Sequence, residues 1–309
     1  MLRRVGVILA AGALTALVAS GLALAKGHGS QGHGHKAPSV CSGTQQSPGV
    51  LTGVYKHGVV VRGACEVNSG PATVDGKLVL RRGSLLVAAF GQNSSSLTVK
   101  GSVLVRRGAT FVLGCNTTSS PCIDDPNQNA PTLSSTGKIT GNLTESAPLG
   151  VIIHSSTIGG NVTQVGGGGG LSCTPPTTGP FSLFMSPVFS TYEDASVHGN
   201  LEVKGIKSCW LGVNRVDVHG NLLVLHNKMG DPDAIEILSD NVHKNLVCRN
   251  NGHPSGMPPG TQPVWDSADT GSDLYPRQAE PNTVHGHRIG QCKLASPATQ
   301  GGPLGPGPF

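Results

Sequence analysis

A Gly-Asn-apolar triplet recurs along this chain, each time between two short runs rich in Val and Leu. It reads Gly141-Asn142-Leu143, Gly160-Asn161-Val162, Gly199-Asn200-Leu201 and Gly220-Asn221-Leu222. Lys244-Asn245-Leu246 is a variant, and Gly76-Lys77-Leu78 and Gly101-Ser102-Val103 are looser copies upstream. Successive copies lie 25, 40, 19, 39, 21 and 24 residues apart. If 40 and 39 each hold two units, the period is about 19 to 25 residues, the range of solenoid repeats. Such a chain builds a rigid surface first, and function depends on what is placed on that surface.

The flanking runs, such as Leu78-Val79-Leu80, Val103-Leu104-Val105 and Leu222-Leu223-Val224-Leu225, are too short for helices and suit short strands. Each copy of the motif reads strand, Gly-containing corner, strand. The expected fold is all-β: a single-stranded, right-handed parallel β-helix (β-solenoid) with coils of about 20–25 residues, stapled by disulfides. At the corner Gly supplies a left-handed bend and Asn tolerates the same region. Stacked coils then place Asn142, Asn161, Asn200, Asn221 and Asn245 in a structural column of bonded amides.

Residues 1–25 read as a signal peptide: Arg3-Arg4, an apolar run from Val5 to Leu22, and the small-x-small exit Ala23-Leu24-Ala25. Residues 26–49 read as a flexible Gly/His-rich linker carrying His28, His33 and His35. The β-helix is expected over 50–250, with loop insertions near 116–131 and 166–192. An irregular C-terminal cap (251–296) and a disordered tail (297–309) follow. The second insertion region gathers Phe181, Phe184, Met185, Phe189 and Tyr192, which either bind a ligand or pack the loop over the coil.

Eight cysteines remain after signal removal, an even number in an exported chain, which reads as disulfides. In a solenoid, sequence neighbours are spatial neighbours. The simplest pairing is Cys41–Cys65, Cys115–Cys122, Cys173–Cys209 and Cys248–Cys292. No Cys-x-x-Cys pair points to zinc.

Composition excludes several roles. The formal net charge is +5, and two of those charges lie in the signal peptide, so a nucleic-acid partner is not expected. No stretch after the signal peptide is long and apolar enough to span a membrane. Arg81-Arg82 and Arg106-Arg107 occupy matching places in two repeats and would stack into a small basic stripe or a solvated turn edge. His198, His219 and His243 also match, as exposed residues beside the turn or as a column that titrates or binds metal. Only 17 acids are present. Asp124-Asp125 read as a turn. Asp217, Asp233, Glu236 and Asp240 are weak catalytic candidates for glycan chemistry, which needs carboxylates about 5 to 9 Å apart. No metal or cofactor is expected.

The Val-x-Gly-Asn-Leu-x-Val corners, Gly114-Cys115 and the ending Pro281-Asn-Thr-Val-His-Gly-His-Arg-Ile-Gly-Gln-Cys292 resemble secreted parallel β-helix proteins of actinobacteria. The repeat is also similar to that of bactofilins, polymer-forming scaffold proteins with a right-handed β-helix. This chain departs from them in its signal peptide, Cys pairs and long insertions. Neither resemblance implies catalytic residues. The resulting expectation is a secreted, non-catalytic structural or ligand-binding protein at the cell envelope, with cell-wall or extracellular polysaccharide as partner. The alternatives are a polysaccharide lyase or glycoside hydrolase on the same fold, and a self-assembling scaffold.

Overall fold

The computed structural model describes residues 37–231, 234–252, 264–266 and 282–293. The expected signal peptide, the linker as far as residue 36 with its three histidines, and the tail lie outside the described residues.

Short runs with alternating burial set the architecture. In Leu78-Val79-Leu80 and Val103-Leu104-Val105 the outer two residues are buried and the middle one is partly exposed. That period of two is a strand with one face inward. These strands pair in parallel and in register from coil to coil, Leu78 with Val103, Val103 with Leu143 and Leu143 with Val162. Among the described residues, ten strands stack into sheet I, nine into sheet II and nine into sheet III, with a two-stranded pair at Lys207–Ser208 and Lys228–Met229. The chain visits sheets I, II and III in that order nine times and returns to sheet I at Arg288–Gly290. This is a parallel β-helix. Its interior is one continuous column of buried Val, Leu and Ile from Leu51 to Val264. Each fully buried Val or Leu contributes roughly 1.5–3 kcal/mol.

Strand starts in sheet I are 20, 19, 25, 40, 19, 39, 21, 24 and 42 residues apart. The 40- and 39-residue steps are therefore single coils, not two units each, since Val103 pairs directly with Leu143 and Val162 with Leu201. The surplus chain leaves at one corner, as 114–136 between sheets II and III and as 166–188 between sheets I and II. The winding also starts earlier than the composition suggests. Ser39–Cys41 pairs with Val59–Val61, inside the segment expected as linker. Beyond Cys248, Trp265–Asp266, Thr283–Val284 and Arg288–Gly290 extend all three sheets where an irregular cap was expected.

The Gly-Asn corner joins sheet III to sheet I, and its glycines serve a different purpose from the expected one. None of Gly141, Gly160, Gly199 and Gly220 has a positive φ. They are needed for space. A Cβ on Gly160 would lie 2.2 Å from Asn142 Oδ1, and one on Gly199 would lie 2.3 Å from Asn161 Oδ1. The Asn column is also bonded differently. Each side-chain carbonyl accepts the backbone N–H of the next coil's Asn: Asn161 N to Asn142 Oδ1 at 2.8 Å, then Asn200 to Asn161 and Asn221 to Asn200 at the same distance. Asn245 N bonds Asn221 at 3.1 Å and His287 N bonds Asn245 at 2.9 Å. Side-chain amides bond one another only along Asn200, Asn221 and Asn245.

Left-handed residues sit at the other two corners. Ala147, Gly166, Gly205, His226 and Asn250 turn from sheet I to sheet II, and Ser155, Asp194, Arg215 and Ser239 turn from sheet II to sheet III. Most are not glycine, so these corners leave no sequence signature.

The four disulfides pair as the solenoid argument predicts. Cys41–Cys65 and Cys248–Cys292 join the core column near its two ends. Cys115–Cys122 closes the first insertion, and Cys173–Cys209 ties the second to the coil that follows it. Four bridges with no free cysteine suit an oxidising, extracellular environment. Among the described residues no helix is long and apolar enough to cross a membrane.

Both insertions serve packing. Sheet II is buried on both faces. Leu86, Phe111 and Ile153 belong to the inner core, while Leu85, Val87, Val112 and Ile152 form a second cluster outside it. Cys122 and Leu133 of the first insertion and Phe181, Phe184 and Val188 of the second cover that outer face. Phe181 is fully buried and meets Phe184 and Phe189 edge-on, with Gly150 leaving room for its ring. Tyr192 belongs to the inner core instead, and Met185 is exposed.

Gly199→Ala should cost about 1–3 kcal/mol, because overpacking at a fixed coil spacing cannot relax, and denaturant unfolding of the variant measures it. Cys173→Ser with Cys209→Ser should free the second insertion and expose the outer face of sheet II. Faster proteolytic nicking within 166–188 and gain of a hydrophobic dye signal are the readouts.

Candidate functional site

Among the described residues, two outward-facing arrangements stand out beside the Gly-Asn corner and the covered face of sheet II. The first lies on sheet III in the last coils. Asp217, Asn241 and Thr283 are in register on adjacent strands, each followed by a buried or half-buried Val that points inward. The next position is outward again, and it is His198, His219, His243 and His285 in four successive coils. Their rings stack with centroids 4.9, 4.7 and 5.3 Å apart, the coil repeat. The sequence matched the first three; His285, in Val284-His285-Gly286, completes the column.

Asp217 sits between two of these rings. His219 Nε2 is 3.0 Å from Asp217 Oδ2 and His243 Nε2 is 2.8 Å from Asp217 Oδ1. Asn241 Nδ2 donates to the same Oδ1 at 2.8 Å. Partial burial pushes the Asp217 carboxyl up, but the hydrogen bonds from His243, Asn241 and His219 outweigh it and hold the group below its ordinary value. His285 Nε2 lies 3.1 Å from Asn241 Oδ1, on the far side of that amide.

The second arrangement is a cleft at the corner between sheets I and II. Arg81-Arg82 and Arg106-Arg107 follow paired strands in successive coils, so the two pairs stack. With Ser146, Ala147 and Val165 they line an open cleft of about 600 Å³. All four arginines are exposed, and among the described residues no carboxylate pairs with them. The stripe envisaged from sequence is thus a shaped, unneutralised surface.

Two closed polar networks escaped the sequence reading. At the corner between sheets II and III, Arg215 bonds Asp194 Oδ1 and Glu193 Oε2, each at 2.8 Å, and Thr191 donates to Glu193 at 2.7 Å. Asn116 and Ser119 of the first insertion bond Asp194 as well, which clamps the insertion to the coil. Burial raises the Asp194 carboxyl, yet Arg215, Ser119 and Asn116 bring it below its ordinary value. His154 Nδ1 is 3.8 Å from Glu193 Oε2; burial outweighs the nearby acids and lowers its pKa, so it stays neutral. This cluster holds two carboxylates and an arginine, as glycan-cleaving sites do, but the arginine already occupies both acids.

The other network is inside the core. Glu145 and Gln164 face inward on adjacent strands of sheet I and meet Tyr192 from sheet II. The Tyr192 hydroxyl has one proton, and Gln164 Oε1 accepts it at 2.9 Å. Its contact with Glu145 then needs a proton from the carboxyl. Burial drives the Glu145 pKa from 4.5 to about 8, so the group is neutral as that arrangement requires.

The weak catalytic candidates do not gather. Asp217 is on the outer face of sheet III. Asp240 is buried at a corner, where its Oδ1 accepts the N–H of Val216 at 2.7 Å and Asn282 Oδ1 accepts its own N–H at 2.8 Å. It continues the coil-to-coil ladder instead of facing a substrate. Glu236 is buried in sheet II, opposite Gly212. Asp233 lies outside the described residues. Asp124 and Asp125 are loop anchors, Asp124 accepting the N–H of Gly91 and Gln92 and Asp125 those of Asn127, Thr132 and Leu133.

No protein-family model, curated protein or solved structure matches the chain. The reading of the surface therefore rests on geometry.

Glu145 holds its proton more tightly in the folded chain than in the unfolded one. Stability should therefore fall as pH rises from about 4.5 to about 8, by at most about 5 kcal/mol. Glu145→Gln should flatten that fall in unfolding experiments across pH 5–9. Arg215→Ala should cost about 3–5 kcal/mol in the same assay at neutral pH, chiefly by leaving the buried Glu193 carboxylate without its cation.

Proposed function

We propose that this chain is a secreted, non-catalytic β-solenoid that acts as a binding protein at the cell envelope, and that its ligand is an acidic polysaccharide. One observation carries the proposal: four exposed arginines in two stacked pairs line a cleft, and among the described residues no carboxylate pairs with them. The coil spacing of about 4.8 Å repeats the charges at a pitch comparable to one sugar unit. Guanidinium forks bind carboxylate and phosphate in bidentate fashion. The backbone beneath is a rigid ladder, so little ordering opposes binding. The disulfides support the extracellular setting.

Binding of the mature protein to immobilised polyuronate, to a phosphodiester-linked wall polymer and to a neutral glucan tests this, with release of reducing ends followed in parallel. Retention on an acidic polymer should weaken with salt and fall at least tenfold in Arg82→Ala with Arg107→Ala. Equal retention on neutral glucan, or indifference to the arginine substitutions, would overturn the proposal. Release of reducing ends would replace it with a glycan-active enzyme.

A further inference from the structure

We propose that Asp217, His219 and His243 form a binding site for a first-row transition-metal ion, with zinc-type chemistry. The three groups come from two adjacent strands. Asp217 and Asn241 are paired in register, and His219 and His243 follow each by two residues, so the ladder fixes both imidazoles on the same side of the sheet. One ligand atom from each residue, an imidazole nitrogen or a carboxylate oxygen, lies within 4.8 Å of the other two. Zinc bonds of about 2.0–2.1 Å in tetrahedral geometry put ligand atoms about 3.3 Å apart. The Nε2–carboxylate distances of 3.0 and 2.8 Å are within a few tenths of that. The two nitrogens approach different oxygens of the carboxylate, and both rings are exposed. Two imidazoles and one carboxylate leave a fourth position open to water, as the sheet face is exposed there.

The donor set selects the class of ion. Calcium and magnesium prefer six or more oxygens, whereas imidazole favours zinc, copper and nickel. A supporting shell is in place as well. Asn241 Nδ2 donates to Asp217 Oδ1 at 2.8 Å and orients the carboxylate. His198 and His285 stack on the outer sides of the two proposed ligand rings. They are not ligands in this scheme, because Asp217 contacts only the inner two rings. The column is therefore a defined three-ligand site flanked by packing rings, not a diffuse His-rich surface.

The experiment uses tag-free mature protein in which His28, His33 and His35 are replaced by Ala, so that those histidines cannot contribute. Zn2+ and Co2+ are titrated by calorimetry and by Co2+ visible absorption. One ion should bind per chain. His219→Ala, His243→Ala and Asp217→Asn should each weaken binding at least tenfold. His198→Ala and His285→Ala should stay within about threefold. Unchanged circular dichroism melting of each metal-free variant separates loss of the site from loss of the fold. No binding to the parent protein, retention in the ligand variants, or equal loss in all five would overturn the proposal.

Discussion

Every coil of this molecule rests on hydrogen bonds that cross to the next coil at a spacing of about 4.8 Å. In the strands the backbone makes them unaided. At the corners the chain bends, and side chains take over. The Asn column hands one backbone N–H per coil to a side-chain carbonyl below it. A second amide ladder, Asn227 to Asn251 to Gln291, does the same between sheets I and II. Asp240 and Asn282 do it between sheets II and III. At the Gly-Asn corner the coils are so close that a Cβ on Gly160, Gly199 or Gly220 would meet the coil before it.

That one constraint explains features that otherwise look unrelated. Gly160, Gly199 and Gly220 precede their Asn because the Asn side chain of the coil before fills the place of a Cβ. Insertions as long as 23 residues are tolerated because they leave and rejoin at a corner without shifting register. They still need an apolar surface to lie on, and the outer face of sheet II provides it. With that face covered, the outer face of sheet III and the edge between sheets I and II remain exposed. The stacked imidazoles and stacked guanidiniums occur there, each repeated at the coil pitch.

Charge is treated differently inside and outside. Inside, Glu145 keeps its proton, and Arg215 pairs with buried Glu193 and half-buried Asp194. Outside, the arginine cleft carries its charge without a partner among the described residues, which disfavours the free molecule and favours an anionic ligand.

The sequence by itself determined the winding and the covalent staples. A corner where glycine gives the room for an Asn of the coil before repeats visibly, and in a solenoid nearby cysteines are nearby in space, so both were legible from residues such as Gly199-Asn200 and Cys115–Cys122. The matching histidines were legible for the same reason, although their convergence on Asp217 was not. Tertiary structure alone decided which intervals were one coil, since pairing of Val103 with Leu143 depends on where the surplus chain exits. It also decided that Tyr192 faces Glu145 and that Glu236 is buried, because a strand buried on both faces shows no alternation to read. The left-handed corners at Asp194 and Arg215 were silent because their conformation is imposed by the coils above and below. Local sequence sets what each turn can do, and the register between turns sets which side chains meet.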